Sequence, residues 1–476
     1  MTTDLRPYPA YTESELRWLE RVPSHWDVVR AKCLFREIDE RSSTGKEDLL
    51  SVSHIRGVTK RSETNATMFL AMSNKGHKIC RPGDLVINTM WAWMGAIAVS
   101  PHTGLVSPSY GTYRPTGRNA LLTEYAHQLL RTPQYVSEYI SRSTGIHSSR
   151  LRLYPEQFLR IPVLCPPDEE QAAIVRFLNH ATRRFADVIR AKKKLIALLN
   201  EQKQGIIHRI VTRGLDSKVR LIPSGILWLG EIPEHWGTRP LKRCTTVISK
   251  GTTPSTEGRD LLAEGPVRFV KGENIARGSI SEVPRAFIDQ ATHALLQRSQ
   301  LRENDVLFVI AGTLGKVAVV GSQHVPANTS QAVAFIRPNT KEVMPDFLAA
   351  WLQSARIQDQ TWLNAVQSAQ PNLSMESLGL FPVPLPPISE QALIVQRLNQ
   401  ELSGLILALV GAQKEIDLIR EFRTRLISDV VTGQLDVREA AIGLTVEVEE
   451  AEVVTEAEAE DETEGLVEAV RDNECN

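Results

Sequence analysis

His25 and His235 each stand directly before a tryptophan and recur in both halves of the chain, and imidazole is a side chain suited to moving protons near neutral pH. Acid–base or nucleophilic chemistry needs a partner group, and neither histidine has a nucleophile or a paired acid nearby in sequence, so both are read as structural. Gly312-Thr-Leu-Gly315-Lys316-Val317 is not a phosphate loop, because the gap is too short and no Ser or Thr follows the lysine. The five cysteines (Cys33, Cys80, Cys165, Cys244 and Cys475) are scattered, with no Cys-x-x-Cys and no histidine at ligand spacing, which supports neither a disulfide framework nor a zinc site. There is no Asn-Pro-Pro-Tyr tetrad of the kind that methylates adenine, no glycine-rich cofactor loop on a strand-to-helix turn, and no nuclease carboxylate–lysine cluster. No catalytic residue and no metal ligand is therefore assigned.

What remains is recognition chemistry. Base edges are read by Arg, Lys, Asn and Gln at loop tips, while Gly, Ser and Thr let a backbone approach phosphate. In the second half of the chain Lys250, Gly251, Thr252 and Thr253 fit that description, as do Lys271 and Asn274 with Arg277, Lys316, Asn328 with Gln331, and Gln370 with Asn372. Counterparts in the first half are Arg56, Lys60 and Arg61, then Lys75 and Lys78, then the stretch Ser143 to Arg150, with Ser148 and Arg150 at its end. Trp91 and Trp93 could stack on DNA, but alternating tryptophans in a strand suit core or rim packing, and they are read as structural.

The elements that must position these loops are written twice. Trp18-Leu-Glu-Arg-Val-Pro23-Ser-His25-Trp26 recurs as Trp228-Leu-Gly-Glu-Ile-Pro233-Glu-His235-Trp236, and Gly95-Ala-Ile-Ala-Val99 recurs as Gly315-Lys-Val-Ala-Val319. Pro166-Pro167-Asp-Glu-Glu170-Gln171 likewise matches Pro386-Pro387-Ile-Ser-Glu390-Gln391. Before each Pro-Pro pair, short β-favouring runs such as 84–87, 96–99, 305–310 and 332–336 alternate with turn residues, which predicts a strand-rich domain. After it, Asp168 as cap with Gln171 three residues on predicts a helix start. Leu178, Phe185, Ile189, Ile196, Leu199 and Ile206 then follow heptad steps, and so do Leu398, Leu402, Leu405, Leu409, Ile416, Ile419 and Leu426. A helix from 168 to 212 would run roughly 65 Å. These seam residues are assigned to helix packing and partner docking.

The expected architecture is α+β. Strand-rich domains occupy 1–167 and 217–387, long helices 168–216 and 388–436 pair antiparallel as a coiled coil with pseudo-twofold symmetry, and 437–476 is an acidic, disordered tail. Residues 446–476 hold 13 acidic side chains and one arginine, so the rest of the chain carries about +11 against an overall charge of −1. A basic body suits a polyanion, although such surfaces are common in proteins that bind none. No apolar run approaches a membrane span and the start lacks a signal-peptide layout, so a cytoplasmic location is expected.

Together these motifs resemble the DNA specificity subunit of type I restriction-modification systems over roughly residues 8–436, with Trp228–Trp236, Lys250-Gly-Thr-Thr-Pro254, Gly312–Lys316 and the doubled Pro-Pro-x-x-Glu-Gln as the specific pieces. The resemblance implies a bipartite double-stranded target, one half-site per domain. It also implies two methyltransferase subunits docked on the paired helices, restriction-translocase subunits beyond them, and S-adenosylmethionine, ATP and Mg on those partners, with no cofactor on this chain. The acidic tail departs from the family pattern. Two other readings are weighed: a coiled-coil regulatory protein whose domains bind proteins, and an enzyme modifying DNA alone through an unfamiliar site.

Overall fold

The computed structural model describes residues 5–14, 16–63, 73–117, 121–145, 151–276, 278–366 and 371–444. Most of the tail assigned to disorder lies outside them. Its first residues are a correction, because Val437 and Ala441 are buried in the core of the first unit and 437–444 therefore belong to the folded body. The chain divides into two compact units, Met1–Ala191 with Glu415–Asn476, and Lys192–Lys414. The boundaries fall inside two long helices, Asp168–Arg213 and Ile388–Val431, so each helix contributes one segment to each unit.

The helices begin where the proline pairs forbid upstream continuation, and Asp168, Glu169 and Glu170 place negative charge on the first turn of the first helix, against its dipole. Asp168 is already helical, however, and the Gln171 side chain bonds Leu122 N and Pro166 O. Gly214 and Gly433 end the helices at φ 72° and 74°, a left-handed conformation that favours glycine. Each also leaves room for a neighbour: a Cβ on Gly433 would lie 2.6 Å from the Pro23 ring, and one on Gly214 would lie 3.1 Å from Trp236.

In the first unit, strands Phe35–Glu37, Gly111–Pro115, Leu85–Ile87 and Ile97–Val99 form an antiparallel four-stranded sheet in that order. Its core takes in Tyr113, Tyr125, Tyr135, Tyr139 and Phe158, all fully buried, together with Ile174 and Leu178 of one long helix and Leu426 and Val430 of the other. Full burial of side chains this large stabilises by about 1.5–3 kcal/mol each. Phe185 and Phe422 meet edge to face at 5.7 Å.

The second unit repeats this order with Thr245–Lys250, Val333–Pro338, Val306–Val309 and Val317–Val319. It adds a smaller sheet in which Val267–Val270 pairs antiparallel with Phe287–Ile288 and parallel with Ala327–Thr329. Ile207 and Ile210 share a core with Ile394 and Leu398, and Arg209 bonds Glu401 at 2.9 Å. Leu178, Ile189, Leu398, Ile416 and Leu426 of the predicted seams are buried, whereas Phe185, Ile196, Leu199, Ile206, Leu402, Leu405, Leu409 and Ile419 are half-buried.

Each four-stranded sheet is pinned by one buried ion pair. Asp84 accepts from Arg114 Nε and Nη2 at 2.8 and 2.9 Å, and Asp305 accepts from Arg337 Nε and Nη2, both at 2.8 Å. Each aspartate also accepts the backbone N–H three residues earlier, from Arg81 and Arg302. This closes turns whose left-handed positions are Gly83 (φ 88°) and Asn304 (φ 70°).

The first unit carries a pH dependence. His127 is half-buried against Arg131, whose guanidinium lies 2.9 Å from its Nε2, and desolvation first and that charge second push its pKa down to about 3. The folded state therefore stays unprotonated while the unfolded chain takes up a proton near 6.5, so stability falls as pH drops from about 6.5 towards 3. At pH 5 the loss is about 2 kcal/mol. Urea melts of the first unit at pH 7.5 and 5 should show it, and His127→Gln should flatten the difference. Because Arg131 also bonds the backbone carbonyls of His54 and Ile55, the hairpin bearing Arg56 should loosen with it.

Candidate nucleic-acid interface

The geometry explains the paired histidines first. His25 Nε2 lies 2.8 Å from Glu170 Oε2, and Trp26 Nε1 donates to the other oxygen of that carboxylate, also at 2.8 Å. His235 Nε2 lies 2.8 Å from Glu390, which also accepts from Trp236 Nε1 at 3.2 Å. An acid partner therefore exists for each histidine, 145 and 155 residues away, where sequence proximity could not show it. With the carboxylate shared by an indole, the arrangement fastens each strand-rich domain to the start of the long helix that follows it.

The adjacent glutamines complete the joint. Gln171 Oε1 accepts from Leu122 N at 2.7 Å, just ahead of helix Thr123–Leu129, and Gln391 Oε1 accepts from Met344 N at 2.8 Å, just ahead of helix Pro345–Leu352. Their amide nitrogens donate to Pro166 O and Pro386 O. Each thereby satisfies a backbone donor at a helix start that would otherwise be orphaned. This role of the Pro-Pro-x-x-Glu-Gln motif went unread in the sequence.

In the second unit, most of the predicted recognition loops converge at neighbouring strand ends. Gly251 N donates to Val333 O and Thr252 N to Thr329 O, while Ser330 N reaches back to Val270 O beside Lys271. Ile310 N donates to Ala332 O, Gly312 N to Pro371 O, and Gly315 N to Val309 O. Lys250, the last residue of its strand, and Thr252, Thr253, Lys271, Lys316, Gln331 and Asn372 thus lie on connected strand ends and loops, with Lys250, Gln331 and Asn372 exposed and the others half-buried. Lys271 pairs with Glu273 at 3.3 Å on the surface. Arg298, which sequence reasoning missed, is exposed and its Nε reaches Ser249 Oγ at 3.3 Å, next to Lys250. Arg277 and Gln370 lie outside the described residues.

Four assigned residues are corrected to structural roles. Asn274 is buried: its Oδ1 accepts from Lys271 N at 2.9 Å and its Nδ2 donates to Pro284 O at 2.8 Å. Asn328 is buried as well, donating to Leu296 O and Ser299 Oγ and facing His293 Nδ1. Lys78 is 6% exposed, with Nζ donating to Tyr110 O at 2.8 Å. A polar side chain whose capacity is used inside the domain cannot also read a base. Gly251 answers a packing demand rather than approaching a phosphate, because a Cβ there would sit 2.0 Å from Thr329 O. Gly251→Ala should destabilise the second unit by about 3 kcal/mol or more, since the obstruction is backbone and cannot rotate away. Denaturant midpoints compared with Thr253→Ala would measure it.

In the first unit, Arg56 is half-buried beside the turn of the hairpin Leu50–Ser53 and Gly57–Lys60, Lys60 pairs with Asp48 at 3.4 Å, and Arg61 follows. Lys75 is exposed, and Ser148 and Arg150 lie outside the described residues. Trp93 lies in the 3-10 turn Ala92–Met94 with Trp91 at its N-cap, rather than in a strand, and Ala92 between them is buried.

Residues 233–409 match the family model described as the type I restriction modification DNA specificity domain. The chain is 27% identical to the EcoBI specificity subunit of Escherichia coli over 56% of each chain, so this match spans about half of that relative's length. It is 23% identical to the MjaVIII specificity subunit of Methanocaldococcus jannaschii over 88% of this chain and 95% of that protein. In fold it is similar, with TM-score 0.58 and 15% identity, to a chain from the structure described as the basis of complex assembly and conformational transition of the type I R-M system; 87% of this chain and 99% of that one are covered. Residues 233–409 thus match a type I restriction modification DNA specificity domain, and the chain is similar over most of its length to specificity subunits of type I restriction enzymes.

Proposed function

We propose that this chain is the non-catalytic reader of a bipartite DNA target, each unit contacting one half-site through its loop cluster, and the two long helices serving as spacer and as dock for two methyltransferase subunits. The observation that carries this reading is the convergence of Lys250, Lys271, Lys316, Gln331 and Asn372 on connected strand ends and loops of a domain fastened by Glu390 to a 44-residue helix. Antiparallel pairing of the helices is supported by Ile196, Asn200 and Lys203 lining one cleft with Ile406, Leu409 and Gln413, while Arg209 bonds Glu401 further on. The doubled sequence motifs and the matched sheet orders support an internal duplication, suited to reading two half-sites separated by unread bases. Restriction-translocase subunits would join the same assembly, S-adenosylmethionine, ATP and Mg would reside on partners, and the complex would act in the cytoplasm. Among the described residues no helix is long and apolar enough to cross a membrane, and no cluster of His, Cys, Asp or Glu could hold a metal ion.

Exchange of residues 217–387 for the corresponding segment of a relative, in cells carrying the methyltransferase partner, tests the reading. Long-read sequencing should find one half of the methylated motif changed and the other retained; alteration of both halves, or of neither, would contradict one half-site per unit.

A further inference from the structure

Trp91 and Trp93 are arranged against ordinary hydrophobic logic. Between strands Leu85–Ile87 and Ile97–Val99, the small Ala92 is fully buried while Trp91 is 39% and its neighbour Met90 38% exposed, and Trp93 is half-buried. Large apolar side chains held outward in a cluster mark an interaction site more often than a packing accident. The two indoles stack nearly parallel, with ring centroids 6.1 Å apart and planes at 15°. Trp93 Nε1 donates to Met90 O at 2.9 Å, which fixes that ring. Gly95 follows at φ 85°, and a Cβ there would lie 3.1 Å from Val136 of helix Pro133–Arg142, so the turn sits tightly against its support. The pair is thus presented in a set orientation.

Its place in the fold says what it would meet. The corresponding turn of the second unit, between Val306–Val309 and Val317–Val319, carries Gly312 and Lys316 of the proposed DNA loops. The same backbone bond braces both turns, from Leu153 N to Thr89 O at 3.1 Å and from Leu373 N to Ile310 O at 2.9 Å. That bond sets Arg152 at the place of Asn372, and Arg152 is exposed, with Nη2 3.8 Å from Met90 Sδ. A fixed aromatic pair beside a guanidinium, where the other unit offers glycine and lysine, has the composition of a stacking wedge with a phosphate anchor.

We propose that Trp91 and Trp93 form an aromatic wedge that presses into a base step of the half-site read by the first unit, with Arg152 holding the adjacent phosphate. This rests on the DNA-reading proposal above. The first unit then recognises its half-site partly through the ease of unstacking one step, whereas the matching turn of the second unit uses polar contacts.

The test uses the full chain with its methyltransferase partner on a duplex carrying the methylated motif, with 2-aminopurine placed singly through each half-site. Trp91→Ala/Trp93→Ala should weaken binding roughly tenfold or more and abolish the 2-aminopurine brightening in the first unit's half-site, leaving the other half-site unchanged. Trp91→Phe/Trp93→Phe should keep most of both signals. Alanine variants that bind within twofold of the parent with the same brightening would overturn the proposal. So would equal losses at both half-sites in the alanine and phenylalanine variants with a lowered melting temperature, which would make the pair structural. A parent complex that binds no duplex would remove the DNA-reading proposal as well.

Discussion

Replacement of Asp305 by alanine is expected to destabilise the second unit by about 3–5 kcal/mol, because it leaves the Arg337 guanidinium without its partner beside the sheet. The Asp305 side chain is 0% exposed and receives three hydrogen bonds, two from Arg337 and one from Arg302 N. Arg337 is 21% exposed, too little for water to replace a bidentate carboxylate fully. Hydrogen exchange should accelerate across 306–309 and 333–338, the strands that this pair holds in register. Asp305→Asn, which keeps the shape and removes the charge, should fall between parent and alanine. Unaltered exchange in the alanine variant would mean that the apolar core alone sets the stability of this sheet.

Loss of both Lys250 and Lys316 is the second large effect expected, and it falls on DNA binding. If each lysine neutralises one phosphate, the double alanine variant should reduce the slope of log affinity against log salt by about 2 and weaken binding at least about tenfold at moderate salt. Lys250 is the exposed last residue of its strand and Lys316 is a half-buried loop residue, both outside the core, so the melting temperature should hold. Leu398→Ala should do the reverse: Leu398 is 4% exposed within the second core, its truncation should destabilise by about 2–5 kcal/mol, and the salt slope should stay where it was. Lysine variants that lost stability and kept the slope would show that the loops had been assigned the wrong role.

The extent to which such roles are legible from sequence follows the range of the interactions that set them. Heptad spacing and alternating β-branched runs are local patterns, and the helices at 168–213 and 388–431 and the strands at 85–87, 97–99, 306–309 and 333–338 lie where those patterns put them. The Glu170 joint is not local: its partners His25 and Trp26 are 145 and 144 residues away, and nothing in their spacing announces a bond. Asn274 and Asn328 mislead for a related reason. An asparagine looks the same in sequence whether its amide faces solvent or is bonded inside the domain, and here burial decides. Trp91 and Trp93 mislead in the opposite sense, since their alternation suggests a strand while Gly95 at positive φ folds the segment into a turn.

The central claim is that this chain determines where a partner methyltransferase acts. The most direct measurement is long-read methylation sequencing of DNA from cells carrying this gene with its methyltransferase gene, compared with a deletion of this gene alone. The account predicts a split motif with a fixed unread spacer, methylated only when the chain is present. In cells whose methyltransferase is demonstrably expressed and active, methylation that is identical with and without the chain would contradict it.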